Sequence, residues 1–484
     1  MARFTTRADR GDGLDLRSVS HAGDEVVSRI YFAVRDRFWR TVPLTVHTGR
    51  HTQTLTGFHF EATASTGWPS HPLEVVLRYA ADGDELSAEF EATARGGFDY
   101  ARIGFCVLFP SAVYRGRPAA SWLDGTPTGF EFPTRMVTRD HRDLAAVRFH
   151  RPFERVEGTL PGGTRVEFRF AGERFEFEDQ RNWTDASYKA YSVPPSAEPV
   201  AAAGDRFAQR IRVRATPPLL RRTDGEPGTA IRLGAKLGVL PPIGLYAGRL
   251  SPRSYRPHAG FHELIAIPPA LAGYDSIELP VNGAVHAADD DSVLEATAIH
   301  GDLVEQARAT GLPVRLAPAS FLDVAGDWRD GAGDYAPEPP PGPLPARLLG
   351  PLAATWVLAS AARAVPAGVD ALAYLDARLP ADSPAARAVA RLAALCGGDV
   401  LAVSAPPPLA ALAVRDADGV AVAVANTGPD PVAFTLPDGR TERLDGFASA
   451  WFATPASHRG AEQPCSAPVQ EAPNRQLPGA VSAS

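Results

Sequence analysis

The sequence predicts a multidomain protein of mixed α/β-plus-β class. Its parts are an N-terminal β-sandwich, a short β/α unit, and a small C-terminal antiparallel β-domain. Three observations predict this. Short apolar strands separated by turn residues fill roughly the first 215 positions, strands and Ala/Leu-rich helical stretches alternate from about residue 231, and strands return after Asp399. At 484 residues the chain is also too long for one ordinary core.

The first unit, residues 1–217, opens with the strand signal Val26–Arg35. Leu73–Tyr79 and Leu86–Ala94 flank Asp82-Gly83-Asp84 and read as a hairpin. Ile103–Phe109 is a continuous apolar run stopped by Pro110, the pattern of a strand buried on both faces. Short strands continue to Phe207–Arg214. The second unit, residues 231–397, carries strands at Tyr274–Pro280, Pro313–Pro318 and Val369–Tyr374. Helices are expected at Ser292–Arg308, Ala346–Ala364 and Ala385–Leu395, with a Pro-rich loop at Pro337–Pro345. This order means a parallel sheet or a β/α barrel. Only three or four βα units fit, whereas a complete eightfold barrel takes at least about 200 residues. The third unit, residues 398–455, has strands at Leu409–Asp416, Val420–Asn426 and Val432–Leu436. Residues 456–484 are rich in Pro, Ser, Ala and Gln and are expected to be disordered.

Composition narrows the function. A net charge of −7 and the absence of a Lys/Arg run argue against nucleic acid. Cys106, Cys396 and Cys465 are far apart and odd in number, which argues against a disulfide framework and a structural zinc site. The first residues lack an apolar signal segment, and the Ala-rich stretch near 352–365 is broken by Arg363 and Pro366. A cytoplasmic protein without membrane contact is the expectation. There is no GxSxG elbow, HExxH, Walker A loop or strand-linked GxGxxG.

Two clusters carry candidate chemistry. Phe175–Lys189 packs Glu178, Asp179, Arg181, Asn182, Trp183 and Lys189 behind an alternating strand, and the chain's only other lysine is Lys236. Such a polar run at a strand end displays chemistry or forms a salt-bridged turn. The second cluster, Asn282-Gly283-Ala284-Val285-His286 with Asp289, Asp290 and Asp291, lies between a strand and a helix. Loops at that end of β/α strands form active faces, while three Asp also suit an acidic helix start. Glu263, after His262, is a third candidate at the end of a short apolar strand. His47 and His51 fall in a strand-like region, so a metal pair there is not expected.

Phe177–Lys189 resembles the D-apionate lactonase family over a long and specific stretch. Ile30–Pro43, Ile103–Leu108, Asp124-Gly125 with Phe132-Pro133, and Val285-His286-Ala287 with Asp290, Ser292 and Glu295 are similar in the same order. The resemblance implies a β-domain, a TIM-barrel-type domain and a small β-domain. Here the second becomes an incomplete TIM-type (β/α) barrel. The resemblance also implies hydrolysis of D-apionolactone to D-apionate in catabolism of the branched pentose apiose.

Lactone opening needs a base for water, oxyanion donors, and an acid for the leaving alkoxide. His286 or Glu263 is the expected base. Asn282, Arg181 and Asn182 are expected to bind hydroxyls or the oxyanion. Glu178, Asp179, Lys189, Trp183 and Asp290 either bind substrate or lock an interface. No cofactor or metal is predicted, a sugar lactone is the expected partner, and the sequence sets no oligomeric state. Two other classes stay open. One is a non-catalytic carbohydrate-binding or regulatory paralogue. The other is a glycoside hydrolase, for which Glu263 and Glu278 would have to face one another about 5–5.5 or 6.5–9.5 Å apart.

Overall fold

The computed structural model describes residues 3–8, 14–136, 150, 152–193, 196, 199–218, 229–247, 253–255, 271, 273–284, 287–321 and 343–454. It is a mostly β, multidomain protein. Two antiparallel sheets form its N-terminal part. The first runs Phe4–Ala8, Leu16–His21, Asp24–Asp36, Phe98–Pro110, Ser187–Ser192, Phe175–Asp179, with Val200–Ala201 also paired to Phe98–Pro110. The second has nine strands, from Thr126–Glu131 at one edge to Leu44–Gln53 at the other. The two share one apolar core. Alternation makes this possible. In Arg206–Thr216, Gln209, Ile211, Val213 and Ala215 are buried while the residues between them are exposed or half-buried. The expected hairpin is present, with Asp82 paired to Glu85 and Gly83 at a φ of 55° in its two-residue turn.

Register decides which side chains leave this core. Arg17 pairs with Arg29, Arg29 with Leu108, Leu108 with Lys189, and Lys189 with Glu178. Cross-strand partners lie on the same face, so one row across five strands is almost entirely charged. The adjacent row, Leu16, Ile30, Val107, Ala190 and Phe177, faces the opposite way into the core. The apolar run Ile103–Phe109 thus has one buried face, with Cys106 and Leu108 half-buried on the other.

The charged row looks onto the helical segment that follows one strand of a five-stranded parallel sheet. Its order is Ile243–Leu245, Ala371–Tyr374, Val314–Ser320, Ser276–Asn282, Ser254–Tyr255. The long helix expected from Ser292 is three pieces: Asp290–Glu295, a 3-10 turn at Ala296–Ala298, and Ile299–Arg308. Its cap is Asp289, whose carboxylate accepts the Ser292 N–H at 3.0 Å, so the acidic helix start is what these Asp residues form. The helix expected over 346–364 breaks at Gly350, where Pro351 starts a second helix to Ala364. That helix is buried between the parallel sheet and the C-terminal sheet, and one apolar core joins both.

The small C-terminal antiparallel domain has sheet order Arg232–Val239, Asp399–Ser404, Leu409–Arg415, Val420–Asn426, Ser449–Thr454, plus the hairpin Val432–Thr435/Thr441–Leu444. Arg232–Val239 falls within the second unit expected at 231–397. This strand precedes the parallel sheet in the chain but pairs with Asp399–Ser404, because a segment's sheet is set by its pairing partner. Most of the Pro-rich loop, and residues 456–484, lie outside the described residues. Among the described residues, no helix is long and apolar enough to cross a membrane, and no three His, Cys, Asp or Glu side chains group as metal ligands.

Candidate active-site cleft

The expected polar stretch is an interface element. Phe175–Asp179 is buried along its whole length, and Asp179 caps a 3-10 turn, Gln180–Trp183, by accepting the Arg181 N–H at 3.2 Å. Thr184 closes the turn in the left-handed region, at φ 63°. Arg181, at 0 % exposure, donates to Asp179 at 2.9 and 2.8 Å and to the carbonyls of Pro133, Thr134 and Arg135 at 2.8–3.3 Å. It also lies 3.6 Å from Asp302 on the helix Ile299–Arg308. Trp183 inserts into the core of the parallel-sheet unit while its Nε1 donates to Glu178 at 3.0 Å. Thr184 Oγ1 donates to the Asn282 carbonyl at 2.5 Å. Glu178, Asp179, Arg181, Trp183 and Asn282 therefore pin the two units together, and none of them lines the cleft described next. Asn182 stands on the same turn, with its side chain outside what is described. Asp290 is exposed and paired with Arg347. His286 and Glu263 lie outside the described residues.

A second pin lies beside the first. Arg17, 1 % exposed, reaches Asp289 at 2.8 Å, and Arg29 approaches the same carboxylate at 3.8 Å. Burial works against the Asp289 charge, but the two guanidiniums outweigh it and hold its carboxyl below the usual range.

Between the two pins opens a cleft of about 730 Å³. The N-terminal sheet supplies one wall, with Glu25, Ser28, Arg29, Tyr31, Ser187 and Lys189. The helical segment Ser292–Ala298, including Glu295, supplies a second. The C-terminal domain supplies a third, largely apolar wall, with Val403, Pro408, Leu409 and Ala411. The volume falls within the range of small-molecule sites, and the position between domains is where such sites occur.

Charge in the cleft is unevenly paired. Arg29 is neutralised by Asp15 and stacks over Tyr31 at 4.4 Å. Glu25 and Glu295 are half-buried and make no hydrogen bond or ion pair with any described residue. Burial raises the Glu295 carboxyl to about 7. Arg17 pulls it down, while Asp291, Glu25 and Asp289 push it up. Burial raises Glu25 as well. Lys189 donates to Gln180 Oε1 at 3.0 Å and, among the described residues, has no carboxylate within ion-pair distance. Burial lowers its ammonium, opposed in part by Glu178. Gln180 Nε2 and Ser187 Oγ on this wall are buried without a hydrogen-bond partner.

Residues 7–218 match the model of the D-apionate lactonase N-terminal domain, and residues 406–452 that of the D-apionate lactonase C-terminal immunoglobulin-like domain. The chain belongs to the D-apionate lactonase family. A D-apionate lactonase from Brucella anthropi is 32 % identical over 249 residues, covering 49 % of this chain and 39 % of that protein. The chain thus spans well under half the length of this curated relative. Among solved structures, a β-arabinopyranosidase is similar at 9 % identity and a TM-score of 0.30, covering 93 % of this chain and 98 % of that one. A galactose mutarotase-like protein from Lactobacillus casei is similar at 8 % identity and a TM-score of 0.28, covering 45 % and 99 %. At these scores the two likenesses carry no functional argument.

In this D-apionate lactonase family chain, both matched domains furnish walls of the one cleft. The N-terminal match contains Glu25, Arg29, Tyr31 and Lys189, and the C-terminal match contains Pro408, Leu409 and Ala411. Sequence reasoning singled out Lys189 but missed Glu25, Arg29 and Tyr31, and named Glu295 only within the family pattern. A signal was available: Arg29 and Tyr31 alternate with Ile30 and Phe32, so a strand with one core face had a polar face to place.

Proposed function

We propose that the chain opens a sugar lactone of the D-apionolactone type to its aldonate in carbohydrate catabolism. The observation that carries this reading is that both family-matched domains wall one cleft holding two carboxyls without ion partners among the described residues. Glu25, as carboxylate, takes a proton from water as its oxygen attacks the lactone carbonyl carbon. The tetrahedral oxyanion collapses, the bond to the ring oxygen breaks, and Glu295 delivers its proton to that oxygen. A carboxyl held near 7 is still protonated in about half of the molecules at neutral pH, which supplies the acid an alkoxide needs. His286 directly precedes Ala287, which lines the cleft, and on that ground it is the alternative base.

The parallel sheet is, on the same proposal, a reduced TIM-type barrel. Its first strand, Ile243–Leu245, pairs with its last, Ala371–Tyr374, as barrel closure requires. The test of function is hydrolysis of a panel of aldonolactones, D-apionolactone included, by the purified full chain. Turnover of D-apionolactone above the others supports the reading. Absence of turnover on every lactone, with measurable sugar or lactone binding, replaces it with a binding paralogue. That second reading is favoured by one observation: the parallel sheet has five strands among the described residues, fewer than the eight of a complete barrel.

A further inference from the structure

We infer that Lys189 is the carboxylate-binding residue of the cleft, so that the site holds an open-chain sugar acid more tightly than a neutral sugar. The inference rests on the lactonase reading for its choice of anion and on the geometry of the wall for everything else.

The cations on this side of the sheet differ in what they meet. Arg17 is paired with Asp289, and Arg29 with Asp15. Lys189, in the same cross-strand row, has a single hydrogen-bond partner, the neutral Gln180 Oε1. An ammonium carries three donors, so two remain. The groups around it do not take them. Glu178, its cross-strand neighbour, receives the Trp183 N–H and stands beyond ion-pair reach. Tyr191 presents its ring face, centred 5.2 Å from Nζ. Asp185, Cys106 and Arg35 act on Lys189 only through their fields. A half-buried charge without a counter-ion is costly, and this ammonium borders the cleft.

These donors set the chemistry of a ligand that would suit them. It is an anion small enough for the cleft and hydroxylated enough to use Gln180 Nε2 and Ser187 Oγ beside the ammonium. Opening a lactone makes such a group where a neutral ester stood. Lys189 would meet the charge as it develops on the carbonyl oxygen and then hold the finished carboxylate, giving product inhibition by aldonates.

The chain's two lysines make the test direct. Full chain labelled at lysine with ¹³Cε gives two side-chain signals, and K236R identifies which belongs to Lys236. Titration with D-apionate or D-ribonate is expected to shift the Lys189 signal and move its titration to higher pH. Ribitol leaves it in place, and Lys236, paired with Asp399 at 2.6 Å, does not respond. By calorimetry, K189M is expected to lose aldonate affinity by about tenfold or more and K189R to retain most of it. Aldonate binding with no change at Lys189, or equal affinity in K189M, overturns the inference even if lactones are turned over. A Lys189-dependent aldonate site in a chain that hydrolyses no lactone leaves it standing and removes the lactonase reading instead. Should K189M not fold, the labelled native chain still decides.

Discussion

Replacing Arg181 by Met separates architecture from substrate contact at the segment that most strongly marks the family. The side chain is wholly buried and carries two bonds to Asp179, bonds to three backbone carbonyls, and the approach to Asp302. Met keeps the length of the stem and removes every donor. Asp179, at 0 % exposure, then loses its counter-charge, a change that costs about 3–5 kcal/mol when a buried pair is broken from one side. Against a typical domain stability of about 5–15 kcal/mol this is a large fraction. Urea unfolding followed by far-UV dichroism and tryptophan fluorescence should show an early transition at lower midpoint in R181M. Aldonate affinity of the protein that stays folded should be preserved, because Arg181 does not line the cleft. Native stability combined with lost ligand binding would instead return Arg181 to the substrate-binding set.

Other outcomes follow from the same geometry. Trp183→Ala empties a position in the parallel-sheet core and should cost about 3–5 kcal/mol in the same unfolding experiment. Asp289→Ala removes a helix cap and the partner of buried Arg17, so a loss above the about 1 kcal/mol of a cap alone is expected. The Glu295 carboxyl, raised in the folded state, favours folding most below its ordinary value of 4.5, and that contribution is lost as pH rises through about 7. E295Q should therefore unfold like the native chain near pH 4 and be more stable at pH 8, by on the order of 3 kcal/mol; equal pH dependence of the two proteins would contradict this.

Much of this fold was legible as period and punctuation. Val420–Asn426 and Leu86–Ala94 alternate or run apolar between turn residues, and both stand where expected. The segment at Arg232–Val239 shows why pairing was harder. Its strand character is local, but its sheet depends on Asp399–Ser404, more than 150 residues away along the chain. The candidate site was half-legible for a related reason. Residue type singled out Lys189 and the polar turn, yet only register separates Lys189, facing a cleft, from Arg181 and Trp183, spent on holding two units together. Glu25 and Glu295 drew no attention as isolated glutamates, because what distinguishes them is burial without a partner, which only the packing of the strand Asp24–Asp36 against the segment Asp290–Ala298 creates.

If this cleft opens lactones, each turnover releases a proton. Initial rates on D-apionolactone would be followed by pH-stat for the native full chain and for E25Q and E295Q. Turnover by the native chain is expected, with a fall of about 10²-fold or more in each variant and the fold intact by dichroism. Native rates in both variants, or no proton release from the native chain, would contradict it.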